Sequence, residues 1–372
     1  MSAYDARRNK LYDWMAQEGV SLAMFEDTEG RRDPSIRWLT GQPGDALLFL
    51  AVDRRSVLVP WDVNMAKMYA DAETIVPYTE FERQAIKAVL AVADYMKVPK
   101  GSKVEIPETT PYPLFLKFVE GVPDYDILCR EGGIGKEVIA LRAIKDEEEI
   151  RIYREASVIT NDVVDLLEKE FRRGALKTET EVALFIDAAA RARGCEGTGF
   201  ETLAAGPTRS FGIHAFPAYT ADKFGTPGLS ILDFGLKFHG YTTDVTLTVA
   251  RGPLSKPQER MLSLVEKAYA LALGMTKKDA LTRDISLAVD SLFGRTKKAM
   301  PHALGHGIGL EAHEAPALRS RADNDWRLAP GMVITIEPGL YDPVLGGCRL
   351  ENDILIGEDK VEVLTRARII RM

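Results

Sequence analysis

The chain has 372 residues with a formal net charge of −7, and hydrophobic residues make up 46% of it. This length predicts two domains with ample material for hydrophobic cores, and the composition excludes a disordered chain. Because no block of lysine and arginine alternates with aromatic residues, a nucleic-acid partner is not expected. Because no apolar run approaches roughly 18–20 residues, a membrane span is not expected either.

The start of the chain and its cysteines indicate a cytoplasmic protein. The first segment, MSAYDARRNKLYDW, carries charges but no following apolar stretch, so no secretory signal is expected. Three cysteines, Cys129, Cys195 and Cys348, are widely spaced and odd in number. This pattern favours free thiols in a reducing compartment over a disulfide framework.

Residues 1–133 are predicted to form an α/β domain. Residues 7–15 have helical spacing, and residues 21–25 form a short β-rich run. Residues 45–50 and 56–60 are further β-rich runs on either side of an Asp-Arg-Arg segment, so a hairpin is expected there. This domain contains no recognisable chemical motif.

Three glycines in the segment EGGIGKE mark a boundary and begin a second domain at residues 134–372. An Asp-x-x-Glu box and a Thr-x-x-Glu box predict the starts of two helices, and apolar residues at helical spacing predict two more. The caps or first residues of these four helices are Asp146, Thr178, Pro257 and Thr282. The strands LSILDFG, TTDVTLTV, GMVITIEP and CRLENDILI lie between and after them. Helices packed on a largely antiparallel sheet make this an α+β domain.

Acidic residues occur in pairs within these apolar strands. A hairpin centred between Phe238 and His239 places Asp233 directly opposite Asp244, where Cβ atoms are about 4.5–5.5 Å apart. Two carboxylates at that distance repel each other unless a proton or a cation lies between them. One aspartate on a solvated face is the alternative, and it is weaker for two facing residues than for one.

A second acidic pair repeats this pattern. Glu337 ends the predicted strand 332–337, and Glu351 lies in the predicted strand 348–356, across a loop that contains proline and glycine. Each pair alone is weak evidence for a metal site. Two pairs with a cluster of histidines between them in sequence are stronger evidence.

All five histidines of the chain lie between residues 214 and 313, which favours metal or proton chemistry over scattered structural roles. His306 is flanked by Gly305 and Gly307, and glycines let the backbone approach a site closely. One imidazole among four carboxylates suits Mn²⁺, Co²⁺, Fe²⁺ or Zn²⁺. Two such ions balance the four negative charges, whereas one would leave a costly buried charge. The HExxH motif of a mononuclear zinc site is absent.

The motifs ILDFG, GYTTDVT, HALGHGIGLEAHEAP, VITIEPG and CRLEND together resemble the creatinase/methionine-aminopeptidase superfamily with the pita-bread fold, in its Xaa-Pro dipeptidase and aminopeptidase P branch. The resemblance covers nearly the whole chain and implies a creatinase-like N-terminal domain before a catalytic domain with a curved sheet. It implies a homodimeric, dimetal metallopeptidase whose substrate is a peptide with proline second, with Mn²⁺ or Co²⁺ favoured and Zn²⁺ or Fe²⁺ possible.

The resemblance also implies roles for the metal ligands. Asp233 would chelate one metal, Asp244 and Glu351 would bridge both, and His306 and Glu337 would complete the shell of the second. A water held between the ions would be the nucleophile, with Glu337 as its general base.

Further residues are assigned to the substrate and to the orientation of the ligands. By the resemblance, His313 would hydrogen-bond the scissile carbonyl, and His302 and His214 would line the pocket for the residue after the cut. Arg349 would orient the carboxylates, and Tyr341 would reach the site.

Two segments differ from the family pattern and keep other functions open. The family often has Ser-x-x-Pro-His where this chain has SFGIH at residues 210–214, and Thr-Arg-Thr where it has TLT at residues 246–248. One alternative is a metal-dependent hydrolase or lyase of the same fold that acts on a small non-peptide molecule. The other is a non-catalytic binding protein, which the intact set of five ligands disfavours.

Overall fold

The computed structural model describes residues 2–372, which divide into two compact units. One unit ends at Arg142 and the other runs from Ala143 to Met372. The sequence analysis put this division at residues 133/134. In the structure, Gly132 and Gly133 directly precede the helix Ile134–Ala143 and Gly135 lies within it, and the division between the two units falls near the end of this helix.

The first unit is a six-stranded mixed sheet with helices, as the alternating pattern predicted. Its strand order is β4-β3-β2-β1-β5-β6, with β1–β2 and β2–β3 antiparallel and the other neighbours parallel. The predicted hairpin is confirmed, because Leu50 pairs with Ser56. The helices are α1 (Ala3–Glu18), α2 (Pro34–Thr40), α3 (Val63–Tyr69), α4 (Ala85–Tyr95), α5 (Tyr112–Gly121) and α6 (Ile134–Ala143). The strands are β1 (Val20–Asp27), β2 (Ala46–Ala51), β3 (Ser56–Pro60), β4 (Thr74–Ile75), β5 (Lys103–Glu105) and β6 (Asp126–Leu128).

The four long helices predicted for the second unit are present; three begin where predicted, and the one predicted to start at Pro257 begins one residue earlier. They are α7 (Glu147–Arg173), α8 (Glu179–Arg191), α9 (Lys256–Met275) and α10 (Thr282–Gly294). Asp146 and Thr178 each accept a hydrogen bond from the backbone of the glutamate three residues later, so both capping boxes form. These bonds satisfy N–H groups that the first helical turn cannot pair.

The strands of the second unit form four separate sheets that are antiparallel except at β12–β20. Their orders are β11-β10-β7, β20-β12-β9-β8, β14-β13-β15-β18-β19 and β16-β17. The α+β class is therefore confirmed. The strands are β7 (Gly197–Thr198), β8 (Leu203–Ala205), β9 (Gly228–Phe234), β10 (Leu236–Phe238), β11 (Tyr241–Thr242), β12 (Val245–Arg251), β13 (Gly305–Gly307), β14 (Glu314–Leu318), β15 (Val333–Ile336), β16 (Gly339–Asp342), β17 (Gly346–Arg349), β18 (Asn352–Ile356), β19 (Val361–Val363) and β20 (Ile369–Arg371).

One hydrophobic core extends through the second unit and supports the strands that carry the acidic residues. Phe234 of β9, Leu247 of β12 and Ile336 of β15 are fully buried in it, together with Val164 of α7 and Val289 of α10. Because these apolar side chains are anchored beneath the strands, the polar residues between them are held on a rigid support. Across residues 2–372, no helix combines the length and apolar character needed to cross a bilayer.

Candidate metal centre

The first acidic pair lies on a hairpin whose register differs from the prediction. Its two turn residues are His239 and Gly240, with φ values of 49° and 87°, as a type I′ turn requires. The hairpin is therefore centred one residue later than expected, and Asp233 faces Thr246 instead of Asp244. The prediction of directly facing aspartates is wrong. Asp244 precedes Thr246 by two residues, so it is a diagonal neighbour on the same face as Asp233.

The second acidic pair lies where two short ladders meet. The last pair of β15 and β18 is Ile336–Asn352, and the same register continued by one residue places Glu337 opposite Glu351. The predicted single strand 348–356 is interrupted at Glu351, which instead forms an isolated bridge with Thr246. The Glu351 N–H donates to the Thr246 carbonyl over 3.2 Å. This bridge brings the acids of two different sheets together.

All five predicted metal ligands line one cavity of about 310 Å³ within the second unit. They are Asp233, Asp244, His306, Glu337 and Glu351. Among them, Asp244, His306 and Glu351 each offer a ligand atom, and these three atoms lie within 4.8 Å of one another. Nε2 of His306 is also 3.5 Å from Glu337 Oε1. Imidazole nitrogen and carboxylate oxygens at such separations suit a divalent transition-metal ion.

His306 is oriented for coordination by its own backbone surroundings. Its Nδ1 lies 3.0 Å from the Gly307 carbonyl, so Nδ1–H donates there and the Nε2 lone pair faces the acids. Burial lowers the pKa of His306 to about 4, which favours the neutral ring that a metal needs. A Cβ on Gly305 would stand 2.1 Å from the Thr335 carbonyl, and one on Gly307 would stand 1.9 Å from the Ala315 carbonyl. The flanking glycines therefore do permit close backbone approach.

The buried carboxylates have the electrostatics of a site made for cations. Burial, then the charges of Glu351 and Asp233, raise the pKa of Asp244 well above its ordinary value. Burial and Glu351 do the same for the pKa of Glu337. For Glu351, burial and Asp233 raise the pKa to about 7, against the lowering influence of Arg349 and two threonine hydroxyls. Repulsion among ionised groups of this kind is relieved by a positive ion.

Two buried carboxylate oxygens support the same conclusion. Within the described residues 2–372, Asp233 Oδ1 and Asp244 Oδ1 have no hydrogen-bond partner. A buried polar atom without a partner is costly, and a bound cation removes that cost by coordinating the free oxygen. The donor set of four carboxylates and one imidazole therefore fits divalent metal.

Arg349 is buried beside the carboxylates and contacts one of them directly. Its side chain is 2% exposed, and its Nη2 lies 2.5 Å from Asp233 Oδ2. Its Nη1 donates to Tyr341 Oη over 2.9 Å and to the Ile213 carbonyl over 3.1 Å, and its Nε donates to Thr246 Oγ1 over 3.0 Å. Tyr341 therefore reaches the site through Arg349.

The histidines outside the ligand set divide into two groups. His313 and His214 line the cavity, and the His313 ring lies 4.3 Å from that of His306, measured between centroids. His302 does not line it, contrary to our expectation. Its Nδ1 is 2.8 Å from the Ala303 carbonyl and its Nε2 is 2.9 Å from Tyr341 Oη. These bonds turn the ring behind Glu337, and burial lowers its pKa to about 4.

The sequence analysis missed three polar residues that support the site. Asp353 is fully buried and accepts the Asp244 N–H over 3.1 Å, and Thr335 accepts the His306 N–H over 3.2 Å. Glu179 is fully buried and anchors the loop that carries His214. The one signal in the sequence was a second acid two residues after Glu351. The other contacts join residues far apart in sequence.

Comparison with known proteins gives the family. The profile of metallopeptidase family M24 matches residues 151–358, and that of the creatinase/prolidase N-terminal domain matches residues 7–102. An uncharacterized peptidase of Bacillus subtilis is 36% identical over 244 residues, 63% of this chain and 65% of that protein, so the match spans just under two thirds of its length.

Two relatives match over almost the full length. An Xaa-Pro dipeptidase of Pyrococcus horikoshii is 25% identical over 372 residues, 98% of both chains. An X-Pro aminopeptidase from Thermotoga maritima, known from its crystal structure, is also 25% identical to this chain. The two structures superpose with a TM-score of 0.84, and the match covers 98% of this chain and 99% of that one. Since the family profile matches more than half of the chain, the protein belongs to metallopeptidase family M24, with a creatinase/prolidase N-terminal domain.

Proposed function

We propose that this protein is a dimetal peptidase that hydrolyses the bond between an N-terminal residue and proline. The observation that carries the proposal is the single cavity lined by four carboxylates and His306, in a chain of a metallopeptidase family. The names of the full-length relatives, Xaa-Pro dipeptidase and X-Pro aminopeptidase, support the choice of substrate.

Two ions are the number that the charge of the site favours. Asp233, Asp244, Glu351, His306 and Glu337 would together hold the two ions. In support, Nε2 of His306 lies 3.5 Å from Glu337 Oε1 and 3.9 Å from Asp244 Oδ2, and Asp233 has one oxygen on Arg349 and one without a partner within residues 2–372. Mn²⁺ or Co²⁺ suits these ligands best, and Zn²⁺ or Fe²⁺ is also compatible with them.

Bound divalent ions would supply a Lewis acid for the scissile carbonyl and a lowered pKa for water. Glu337 accepts the proton of the attacking water, because its carboxylate lines the same cavity beside His306. His313, on the cavity wall next to His306, donates a hydrogen bond to the carbonyl oxygen as negative charge develops there. Arg349 keeps Asp233 oriented throughout.

Proline in the second position fits the walls of the cavity. The bond before proline is a tertiary amide without an N–H, so its recognition requires no hydrogen-bond acceptor. Ala215, Phe216 and Ala218 form an apolar stretch of the wall beside His214, against which a pyrrolidine ring can pack. The free α-amino group of the substrate lies close to the carboxylates of the metal centre, which restricts cleavage to the first residue.

The structure gives the non-peptide alternative little support. Leu247, which stands where the family often has arginine, is fully buried in the core and does not line the cavity. The side chain that stands in place of the arginine therefore does not face the cavity. His214 lines the cavity although the proline usual before it is absent.

A matched peptide panel tests the proposal. Ala-Pro and Met-Pro, with the tripeptides Ala-Pro-Ala and Met-Pro-Ala, are compared with the same sequences carrying alanine at the second position, using protein saturated with Mn²⁺. We expect kcat/KM at least about tenfold higher for the proline member, as a pocket fitted to one side chain provides. Equal kcat/KM values, or no turnover by fully metal-loaded protein, would contradict the proposal and favour the non-peptide hydrolase.

A further inference from the structure

Thr246 occupies the position between two of the proposed metal ligands. In the ladder of β9 and β12 it faces Asp233, and on its other side it bridges Glu351. Its side chain is fully buried, and its hydroxyl lies 2.7 Å from Glu351 Oε2 and 3.0 Å from Arg349 Nε. One hydroxyl thus stands between a guanidinium and a carboxylate.

The chemistry of the partners determines the direction of both hydrogen bonds. The Nε–H of Arg349 can only donate, so Thr246 Oγ1 is its acceptor. An ionised Glu351 can only accept, so it receives the single proton of the Thr246 hydroxyl. Serine could make the same two bonds, whereas valine, with nearly the same shape, could make neither.

A second hydroxyl holds another proposed ligand from a different sheet. Thr335 of β15 is fully buried, and its hydroxyl accepts the His306 N–H over 3.2 Å. Thr246 belongs to the sheet of β12, so each of the two sheets contributes one hydroxyl. Thr246 restricts the rotation of the Glu351 carboxylate, while Thr335 holds the backbone of His306.

We propose that the Thr246 hydroxyl positions Glu351 and the Thr335 hydroxyl positions His306 for metal binding, and that the two hydroxyls thereby set the metal affinity of the centre. This inference rests on the set of five metal ligands described under the proposed function. A neutral hydroxyl orients the carboxylate and leaves more of its negative charge available to a cation than a direct guanidinium contact does. Arg349 accordingly contacts Asp233 directly and Glu351 through Thr246.

Thr248 offers a matched control on the same strand. It is also fully buried, and its hydroxyl bonds the backbone of Arg349 and lies 3.6 Å from Cys348 Sγ, so it contacts no proposed metal ligand. Its hydroxyl donates to the Arg349 carbonyl over 2.8 Å and accepts the Arg349 N–H over 3.1 Å. Loss of this hydroxyl should weaken the fold without freeing a ligand.

The test is calorimetric titration of metal-free protein with Mn²⁺, combined with the melting temperature of the chelated protein. Thr246→Val and Thr335→Val should each weaken Mn²⁺ binding by about 10–100-fold, the usual effect of losing a group that orients a ligand. Thr246→Ser should bind within about threefold of the original protein. Thr248→Val should lower the melting temperature of the chelated protein and bind Mn²⁺ normally.

Normal Mn²⁺ binding by folded Thr246→Val would overturn the inference. So would a loss of Mn²⁺ affinity in Thr248→Val as large as the loss in Thr246→Val. If Thr246→Val does not fold, Thr335→Val decides by the same criterion. The titration uses no peptide, so it separates the two proposals. If the titrations confirm the role of the two hydroxyls but the protein hydrolyses no Xaa-Pro peptide, that result contradicts only the proposed function.

Discussion

The two adjacent histidines of the cavity have different surroundings and therefore different expected roles. His306 donates Nδ1–H to the Gly307 carbonyl and presents Nε2 to Glu337 and Asp244. His313 packs against the His306 ring and is less enclosed; burial lowers its pKa, as does the charge of His214, which leaves a neutral ring able to donate a hydrogen bond.

We expect His306→Ala and His313→Ala to lose activity for different reasons. His306→Ala removes a ligand and should weaken metal binding together with activity. His313→Ala should retain near-normal metal content and lose about 10²–10³-fold in kcat, the usual effect of removing a donor to the oxyanion. Elemental analysis and steady-state kinetics on both variants make the comparison. Loss of metal from His313→Ala, or an unchanged kcat, would exclude the role assigned to it.

At the residue scale, the sequence predicted the chemical type of the site residues better than it predicted their contacts. The acids and His306 could be identified because charged residues in apolar strands are unusual, and all five line the cavity. The place of His302 could not, because it depends on Tyr341, 39 residues away. Such a contact leaves no local pattern in the sequence.

The first turn of α8 anchors the loop that carries His214. Glu179 accepts hydrogen bonds from the Gly206 N–H, the Thr220 N–H and the Thr220 hydroxyl, each over 2.8 Å, and also pairs with Arg209. Gly206 and Thr220 flank the part of the loop that carries His214. One buried acid thus closes the loop whose residues form one wall of the cavity.

Glu179→Gln should therefore loosen one wall of the cavity. A carboxylate only accepts hydrogen bonds, whereas the glutamine amide has one accepting oxygen and one donating NH₂ group. The NH₂ group would therefore face N–H and O–H donors with which it cannot bond. We expect the free energy of unfolding to fall by about 2–4 kcal/mol and KM for Xaa-Pro peptides to rise, with metal affinity unchanged.

Urea denaturation and peptide kinetics measure these two effects. The control is Glu181→Gln, an exposed residue of the same helix that accepts the backbone N–H groups of Lys177 and Thr178, where a loss below about 1 kcal/mol is expected. A Glu179→Gln variant as stable as this control, with normal KM, would show that the loop does not depend on Glu179.

At the scale of elements, helices were predicted more accurately than strand pairing. The starts of α7 and α8 follow from capping boxes that occupy four consecutive residues, so the information is local. The hairpin of β9 and β12 was also expected, but its register depends on which two residues take positive φ in the turn. A shift of the turn by one residue moved the partner of Asp233 by two.

For the whole molecule, we expect stability to depend on bound metal. Two buried and two partly buried carboxylates with one histidine should take up two divalent ions at saturation, spaced about 3.5–4 Å apart. Because the ions bind the folded state, a free concentration 100 times the dissociation constant adds about 2.7 kcal/mol per site. Chelation should lower the melting temperature and abolish activity, and Mn²⁺ or Co²⁺ should restore both.

Elemental analysis, calorimetric titration and thermal melting with and without chelator measure this prediction. Asp165→Asn is a suitable control, because Asp165 is an exposed acid of α7 that lies outside the cavity. It should bind the same number of ions. Saturation at one ion with full activity would exclude the bridging roles of Asp244 and Glu351.

The sequence by itself determined the α+β class, the main helices and the chemical nature of the site. These depend on patterns within a few residues: apolar periodicity, helix caps, and acids placed in apolar strands. Only the tertiary structure decided that Thr246 joins Glu351 to the sheet of Asp233, that Arg349 supports both acids and that His302 lies behind Glu337. The physical reason is separation along the chain, because contacts such as Thr246–Glu351 span 105 residues and exist only once two sheets have packed together.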